Sequence, residues 1–103
     1  MNPLGNPQKM LKQIQQAQER LQRELSDLRL EATAGGGMVT VQMDGQKQLL
    51  AVKIDPEVLS GSDVDMLQDL IVAAVNEAAR KVDAAVQEKV GSLAGGMGLP
   101  GMG

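Results

Sequence analysis

Six consecutive apolar residues, LIVAAV at positions 70–75, constrain the fold of this chain more than any other feature. Successive residues of an α-helix point about 100° apart, so a helix that carries this run is apolar on most sides and must be covered on most sides. A strand is the alternative, because periodicity alone does not separate a buried strand from a buried helix. The flanks favour the helix, since acidic residues precede the run, Arg80 and Lys81 follow it, and alanines are frequent.

The sequence predicts that this helix runs from about Asp63 to Val90, with Ser62 as its amino-terminal cap and Gly91 just past its end. At about 1.5 Å per residue the helix would be roughly 40 Å long, which exceeds the width of a domain of this size. Part of it must therefore extend beyond the core or lie against a second copy of the chain. The residues that we expect at such a dimer interface are Leu70, Ile71, Val75 and Asn76.

A first helix is predicted near the amino terminus, because Asn6 is a suitable cap and Pro7 suits the first helical position. Its apolar residues form a narrow seam in which Gln18 fills one heptad position, and they are Leu11, Ile14, Leu21, Leu25 and Leu28. A narrow seam suits a helix that packs along one other helix. We therefore expect a helical arm that rests on the long helix.

Between the two helices the apolar period changes to two, which predicts three strands over residues 28–34, 39–43 and 50–54, each with one buried face. Asp44-Gly45 predicts a two-residue hairpin with positive φ at both positions. The glycines at 35–37 predict a turn. A phosphate loop is a poor alternative for them, because a strand and not a helix follows.

After the third strand, Asp55-Pro56-Glu57 predicts a single helical turn with Val58 and Leu59 packed beneath it. The predicted fold is therefore α+β, with a helix, a three-stranded antiparallel meander and a long helix in the order αβββα. Residues 1–90 form one domain in this interpretation. Residues 91–103 are rich in glycine and methionine and predict a flexible tail.

Composition excludes several classes of function, because the chain contains no cysteine, no histidine and no aromatic residue. Disulfides, zinc sites of the Cys and His type and His-dependent triads are excluded. We expect no catalytic residue, no cofactor, no metal site and no small-molecule substrate. A hard-cation site among Asp63, Asp65 and Asp69 is a weaker alternative, since EF-hand spacing is missing. No apolar run approaches the roughly 18 residues of a membrane span, so we expect a cytoplasmic protein.

The charge of the chain is polarised along the sequence. Residues 1–23 carry a balance of +3 and residues 24–103 a balance of −6, and every charge from Asp55 to Glu77 is negative. A local basic field can attract phosphate even where the net charge, here −3, is negative. Ordinary solvated helix surface is the alternative meaning of these scattered lysines and arginines.

The block GGGMVTVQMDGQKQLLAVKIDPEVL, followed by MLQDLIVAAVNEAARKV, closely resembles the YbaB/EbfC family of bacterial nucleoid-associated proteins. The resemblance covers nearly the whole chain. It implies a homodimer in which sheets and long helices join, with helices that project as paired arms and hold double-stranded DNA. The residues that it implies as DNA contacts, chosen by their charge, are Lys9, Lys12, Arg20, Arg23, Arg80, Lys81 and Lys89.

Two function classes compete with DNA binding. A protein-interaction or scaffolding module would recruit partners through the acidic belt, Asp55 to Glu77, and the Met-rich tail. A catalyst is disfavoured, because no serine has a histidine to activate it and Lys53 has no evident partner. The lack of aromatic residues also disfavours stacking on single strands, so phosphate contacts with little base readout are the leading expectation.

Overall fold

The structure, a computed structural model, describes residues 6–60 and 63–96. Its elements follow the predicted order of helix, three strands, short helical turn and long helix, which confirms the α+β fold. Their bounds are α1 Pro7–Asp27, β1 Leu30–Ala34, β2 Val39–Met43, β3 Leu49–Ile54, α2 Pro56–Ser60 and α3 Val64–Gly96.

The three strands form one antiparallel sheet in the order β1-β2-β3. Val41 of β2 pairs with Ala32 of β1 and with Val52 of β3. Cross-strand partners share a face of the sheet, so these residues point to one side. That side faces α3, which packs across β1 and β2.

The core lies between α3 and the first two strands. Its buried members are Ala32, Val39, Val41, Met43, Ala74, Ala78 and Val82. Alanines at spacing four let the helix axis approach the sheet closely, while the larger valines of β2 fill the space between them. The part of α3 that packs on this core ends at Val86, so the rest of the helix projects beyond the sheet, as predicted from its length.

The elongated shape follows from the two long helices. The radius of gyration is 20.2 Å and the longest dimension is 74 Å, whereas a compact domain of this length has a radius of gyration near 13 Å. Two helices therefore extend well beyond the small core that holds them.

The prediction that α1 rests on α3 is wrong for a single chain. No residue of α1 is buried, and Leu11 and Ile14 of its seam are 56% and 48% exposed. The apolar face of α3 is already used by the sheet, so the outer part of the seam stays uncovered in one chain, while Leu21, Leu25 and Leu28 near the end of α1 are half-buried. The predicted cap is confirmed, since Asn6 Oδ1 accepts a hydrogen bond from the Lys9 N–H at 3.1 Å.

The third strand also departs from its prediction, because its apolar face is not buried in one chain. Leu49, Leu50 and Val52 are 46%, 41% and 40% exposed. Val52 lies on the helix side of the sheet, but α3 crosses β1 and β2 and leaves this edge open. The first strand begins at Leu30 rather than Leu28, because Leu28 caps the end of α1.

The loop after β2 is longer than the predicted two-residue hairpin. Five residues, 44–48, join β2 to β3, and the positive φ belongs to Lys47 instead of Asp44 or Gly45. The buried Asp44 carboxylate accepts the Gln46 and Gln48 N–H groups and so holds the wider loop closed. The predicted turn at residues 35–37 is confirmed, with positive φ at all three glycines.

The ends of α3 correct two further predictions. Asp63 is the observed cap, since its Oδ1 accepts the Met66 N–H at 2.9 Å, while the predicted cap Ser62 lies outside the described residues. The helix does not end at Gly91 but continues to Gly96. One glycine inside a helix costs only about 1 kcal/mol, which the favourable residues around it outweigh. In α2, Val58 is buried as predicted but Leu59 is 58% exposed.

Candidate nucleic-acid interface

Four basic side chains of α1 share one face of the helix. At about 100° per residue, the positions 9, 12, 20 and 23 fall within an arc of about 80°. We call this set the basic face, and its members are Lys9, Lys12, Arg20 and Arg23. The basic face lies opposite the apolar seam that contains Leu11 and Ile14, so α1 separates charge from apolar surface. Asp27 follows on the basic side at the last position of the helix.

All members of the basic face are exposed to solvent. Within residues 6–60 and 63–96 none of them forms a salt bridge or a side-chain hydrogen bond. No carboxylate in this part of the chain is therefore paired with them by a direct contact. From Lys9 to Arg23 the face extends about 21 Å along the helix axis, which is about six base-pair steps of duplex DNA.

The three basic residues predicted on α3 have different surroundings, because each is held by a partner. Arg80 binds the Glu77 carboxylate through Nε at 3.0 Å and through Nη2. Lys81 Nζ donates to the Glu31 carbonyl oxygen at 2.8 Å. Lys89 Nζ lies 3.3 Å from Glu24 Oε2, which links α3 to α1. The structure thus does not gather the seven predicted residues into one free patch.

The carboxyl end of α1 is held by hydrogen bonds from its own C-cap, from Arg29 and from the loop between β2 and β3. The Leu25 carbonyl oxygen accepts the Leu28 N–H at 3.2 Å and the Gly45 N–H at 2.8 Å. Arg29 Nη1 donates to the Ser26 carbonyl oxygen at 2.7 Å. These bonds satisfy carbonyls that have no partner within the helix.

Two apolar surfaces remain open beside this basic element. One is the edge of the sheet at β3, with Leu49, Leu50 and Val52, and the other is the outer part of the α1 seam, with Leu11 and Ile14. Of the predicted dimer residues, Leu70, Ile71 and Val75 are half-buried against the core and Asn76 is exposed. Val72 within the same run is 58% exposed, so one chain covers only one side of the 70–75 segment.

The acidic belt extends from the end of β3 into α3, and its carboxylates are exposed except for the half-buried Glu77. Asp63 serves as the helix cap, and Asp65 and Asp69 are exposed. In the part of the chain that the structure describes, no group of three or more acidic residues is arranged to hold a metal ion. Nor does any helix in that part combine the length and the apolarity needed to cross a membrane.

The sequence of the chain identifies the protein family that has this fold and this basic helix. The model of the YbaB/EbfC DNA-binding family matches residues 1–97. The chain belongs to the YbaB/EbfC DNA-binding family. The expected resemblance is thereby confirmed.

Relatives of this YbaB/EbfC chain match it over nearly their whole length. A nucleoid-associated protein of Koribacter versatilis is 55% identical over 96 residues, which covers 93% of this chain and 95% of the relative. A nucleoid-associated protein of Alkaliphilus metalliredigens is 45% identical over 105 residues, covering 99% and 92%. The crystal structure of an uncharacterised Helicobacter pylori protein has the same fold, with a TM-score of 0.71 at 22% identity, covering 82% of this chain and 89% of the other.

Sequence reasoning missed two features of this YbaB/EbfC chain that bear on function. The basic face could have been found from the spacing of 3, 8 and 3 between its members, which is a helical spacing. The contact between Gly45 and α1 could not, because Asp-Gly reads locally as a turn and its partner Leu25 is distant in sequence.

Proposed function

We propose that this chain is a nucleoid-associated protein that binds duplex DNA mainly through phosphates, with the basic face of α1 as the principal contact. The main support for the proposal is that four exposed cationic side chains lie on one helix face. None of the four forms a salt bridge with another described residue. Free lysine and arginine side chains release counterions from DNA when they bind phosphates. A face about 21 Å long can follow a phosphate backbone over several base pairs.

The proposed binding mode has little base readout. Lysine and arginine on a solvated helix face contact phosphates at any sequence, and the chain has no aromatic residue to stack on bases. We include Arg80, Lys81 and Lys89 in the contact set as secondary members. Each would have to exchange an existing partner for phosphate, so we expect each to contribute less than a member of the basic face.

We further propose that the binding unit is a homodimer joined through its uncovered apolar surface. The edge strand β3 exposes unpaired backbone groups together with Leu49, Leu50 and Val52, and an open apolar edge strand favours pairing with another chain. Leu70, Ile71 and Val75 would complete the interface with the surface that one chain leaves uncovered, and Asn76 would lie at its polar margin. A dimer would carry two basic faces on projecting helices, one for each side of a duplex.

The proposed location is the bacterial nucleoid in the cytoplasm, in agreement with the names of the relatives. Neither a membrane nor a small-molecule ligand is needed for this function. The negative net charge would keep the rest of the surface away from DNA, so only the basic helices approach the duplex.

The test is a titration of the native protein against short labelled duplexes of two unrelated sequences, followed by fluorescence anisotropy. We expect similar affinity for both sequences and a slope of log affinity against log salt of magnitude about 3 to 6, from about 0.9 per phosphate contact. No binding at about 50 mM salt, or a slope near zero, would contradict the proposal. The scaffolding function would then be favoured. It would be identified by a protein partner that binds the native protein but not the Asp63→Lys and Asp65→Lys variants.

A further inference from the structure

The loop between β2 and β3 makes a backbone contact with the end of the basic helix at Gly45. The Gly45 N–H donates a hydrogen bond to the Leu25 carbonyl oxygen at 2.8 Å. Gly45 is also packed directly against Leu25, because a Cβ built on it would lie 2.5 Å from the Leu25 carbonyl oxygen and 3.0 Å from its Cα. The end of α1 is therefore seated on the Gly45 backbone.

Glycine is required at position 45 because a larger residue would clash with its neighbours, and not because of the backbone conformation there. The glycines with positive φ in the described part of the chain are Gly35, Gly36 and Gly37, and Gly45 is not among them. An alanine at position 45 would meet no strain from its own φ angle. It would instead have to move the Leu25 carbonyl oxygen by about 1 Å to reach ordinary contact distance.

The loop that presents Gly45 is held firmly. Asp44 is 3% exposed, and its Oδ1 accepts the Gln46 N–H at 2.8 Å and the Gln48 N–H at 2.9 Å. The Asp44 N–H donates to the Gln48 carbonyl oxygen at 3.0 Å. Lys47 Nζ also lies 2.7 Å from Asp83 Oδ1 of α3, but these side chains are 50% and 57% exposed, so this pair adds little to the Asp44 contacts. A clash at Gly45 would therefore displace α1 rather than the loop.

The helix, by contrast, is anchored near its carboxyl end, where Leu21 and Leu25 are half-buried, while residues 7–20 are all exposed. None of its residues is buried. Its salt bridge to α3, between Glu24 and Lys89, joins side chains that are 47% and 33% exposed, and such a pair contributes little stability. Lys9 lies about 24 Å along the helix from Leu25, so a small rotation at Leu25 moves the far end of the basic face by several ångströms.

We propose that Gly45 is a positioning residue, which sets the direction of α1 and so aligns the basic face for DNA. The expected effect of Gly45 on DNA binding rests on the proposed function, whereas its effect on the direction of the helix is a property of the protein alone. Gly45 need not touch DNA in this account. It acts through the Leu25 backbone. Both contacting partners are main-chain groups, so a change of side-chain rotamer cannot relieve a clash between them.

The first experiment measures the direction of α1 without DNA. The chain has no cysteine, so Gln15→Cys and Gln87→Cys, both at exposed positions of α1 and α3, can carry spin labels for a distance measurement within one chain. Dilution with unlabelled protein removes distances between subunits. We expect Gly45→Ala to shift the mean distance by several ångströms. Gly91→Ala is the matched control, because a Cβ there meets nothing within 4 Å, and it should leave the distance unchanged.

The second experiment measures duplex affinity of the unlabelled variants, with circular dichroism to confirm that each is folded. Gly45→Ala should weaken binding about fivefold or more and lower the salt-slope magnitude by about 1 to 2, as one or two phosphate contacts are lost. Gly36→Ala is a control for strain, since its φ is +67° and its Cβ would meet nothing within 4 Å. It should lower stability without changing the affinity of the folded protein.

A second variant covers the case in which Gly45→Ala does not fold. Asp44→Ala removes the acceptor of two loop N–H groups, so it should broaden the distance distribution instead of shifting it. It also removes a negative charge, which alone would strengthen DNA binding, so weaker binding would support positioning.

Unchanged distances in the folded variants would overturn the inference, as would unchanged affinity in a variant whose helix has moved. If the native protein does not bind duplex DNA, the proposed function fails, while the distances still decide what Gly45 does to α1.

Discussion

Replacing Val52 by lysine tests the proposed homodimer at the open edge of the sheet. Fully burying a valine or leucine side chain stabilises by about 1.5–3 kcal/mol. Leu49, Leu50 and Val52 are still 46%, 41% and 40% exposed, so covering each would contribute about 0.6–1.4 kcal/mol. In a two-fold dimer the six side chains would supply about 4–8 kcal/mol, a substantial part of the cost of association.

Lysine at position 52 would forfeit this gain and bring an ammonium group towards the interface. A cost of about 2 kcal/mol in each subunit, or 4 kcal/mol for the dimer, raises the dissociation constant roughly a thousandfold. Sedimentation equilibrium across a concentration series measures this directly. The control is Val90→Lys, which introduces the same charge at a 49% exposed residue in the projecting part of α3 and should leave dimerisation intact. A native protein that sediments as a folded monomer at micromolar concentration, or a Val52→Lys variant that still dimerises normally, would refute the reasoning.

Three further predictions concern stability and follow from burial. Gly91→Ala should raise the free energy of unfolding by about 1 kcal/mol, because Gly91 lies inside α3 with open space around it; thermal denaturation showing a loss instead would mean that the helix ends there. Val39→Ala should cost about 2 kcal/mol in chemical denaturation, since the side chain is fully buried, and a cost near zero would be inconsistent with this core. Leu11→Ala should cost less than about 0.5 kcal/mol in the isolated chain, because Leu11 is 56% exposed; a large loss would show that the seam is covered in solution.

Local sequence signals predicted what depends on neighbouring residues. The cap at Asn6, the alternation that buries Val39 and Val41, and the turn at the glycine triplet are all set within a few residues, and the structure confirms them. The basic residues of α1 were likewise identified from charge. Their role as DNA contacts, and the division of the chain into domain and tail, stay predictions.

Features that depend on distant parts of the chain were not predictable in the same way. Apolar alternation in β3 indicated a buried face, but which strands α3 covers is decided by packing. The Asp-Gly signal gave the position of a turn, but the buried Asp44 side chain widened it to five residues. Gly91 resembled a helix end because glycine is common there, yet a single glycine does not outweigh a long helix.

The most direct test of the account compares salt-dependent DNA binding of two charge-removed variants. One variant replaces the whole basic face of α1 by alanine, and the other replaces Arg80, Lys81 and Lys89 of α3. We expect the α1 variant to lose most of the slope of log affinity against log salt, at about 0.9 per phosphate contact, while the α3 variant keeps most of it. Equal losses in the two variants, or an unchanged slope in the α1 variant, would contradict the claim that the basic face of α1 holds the duplex.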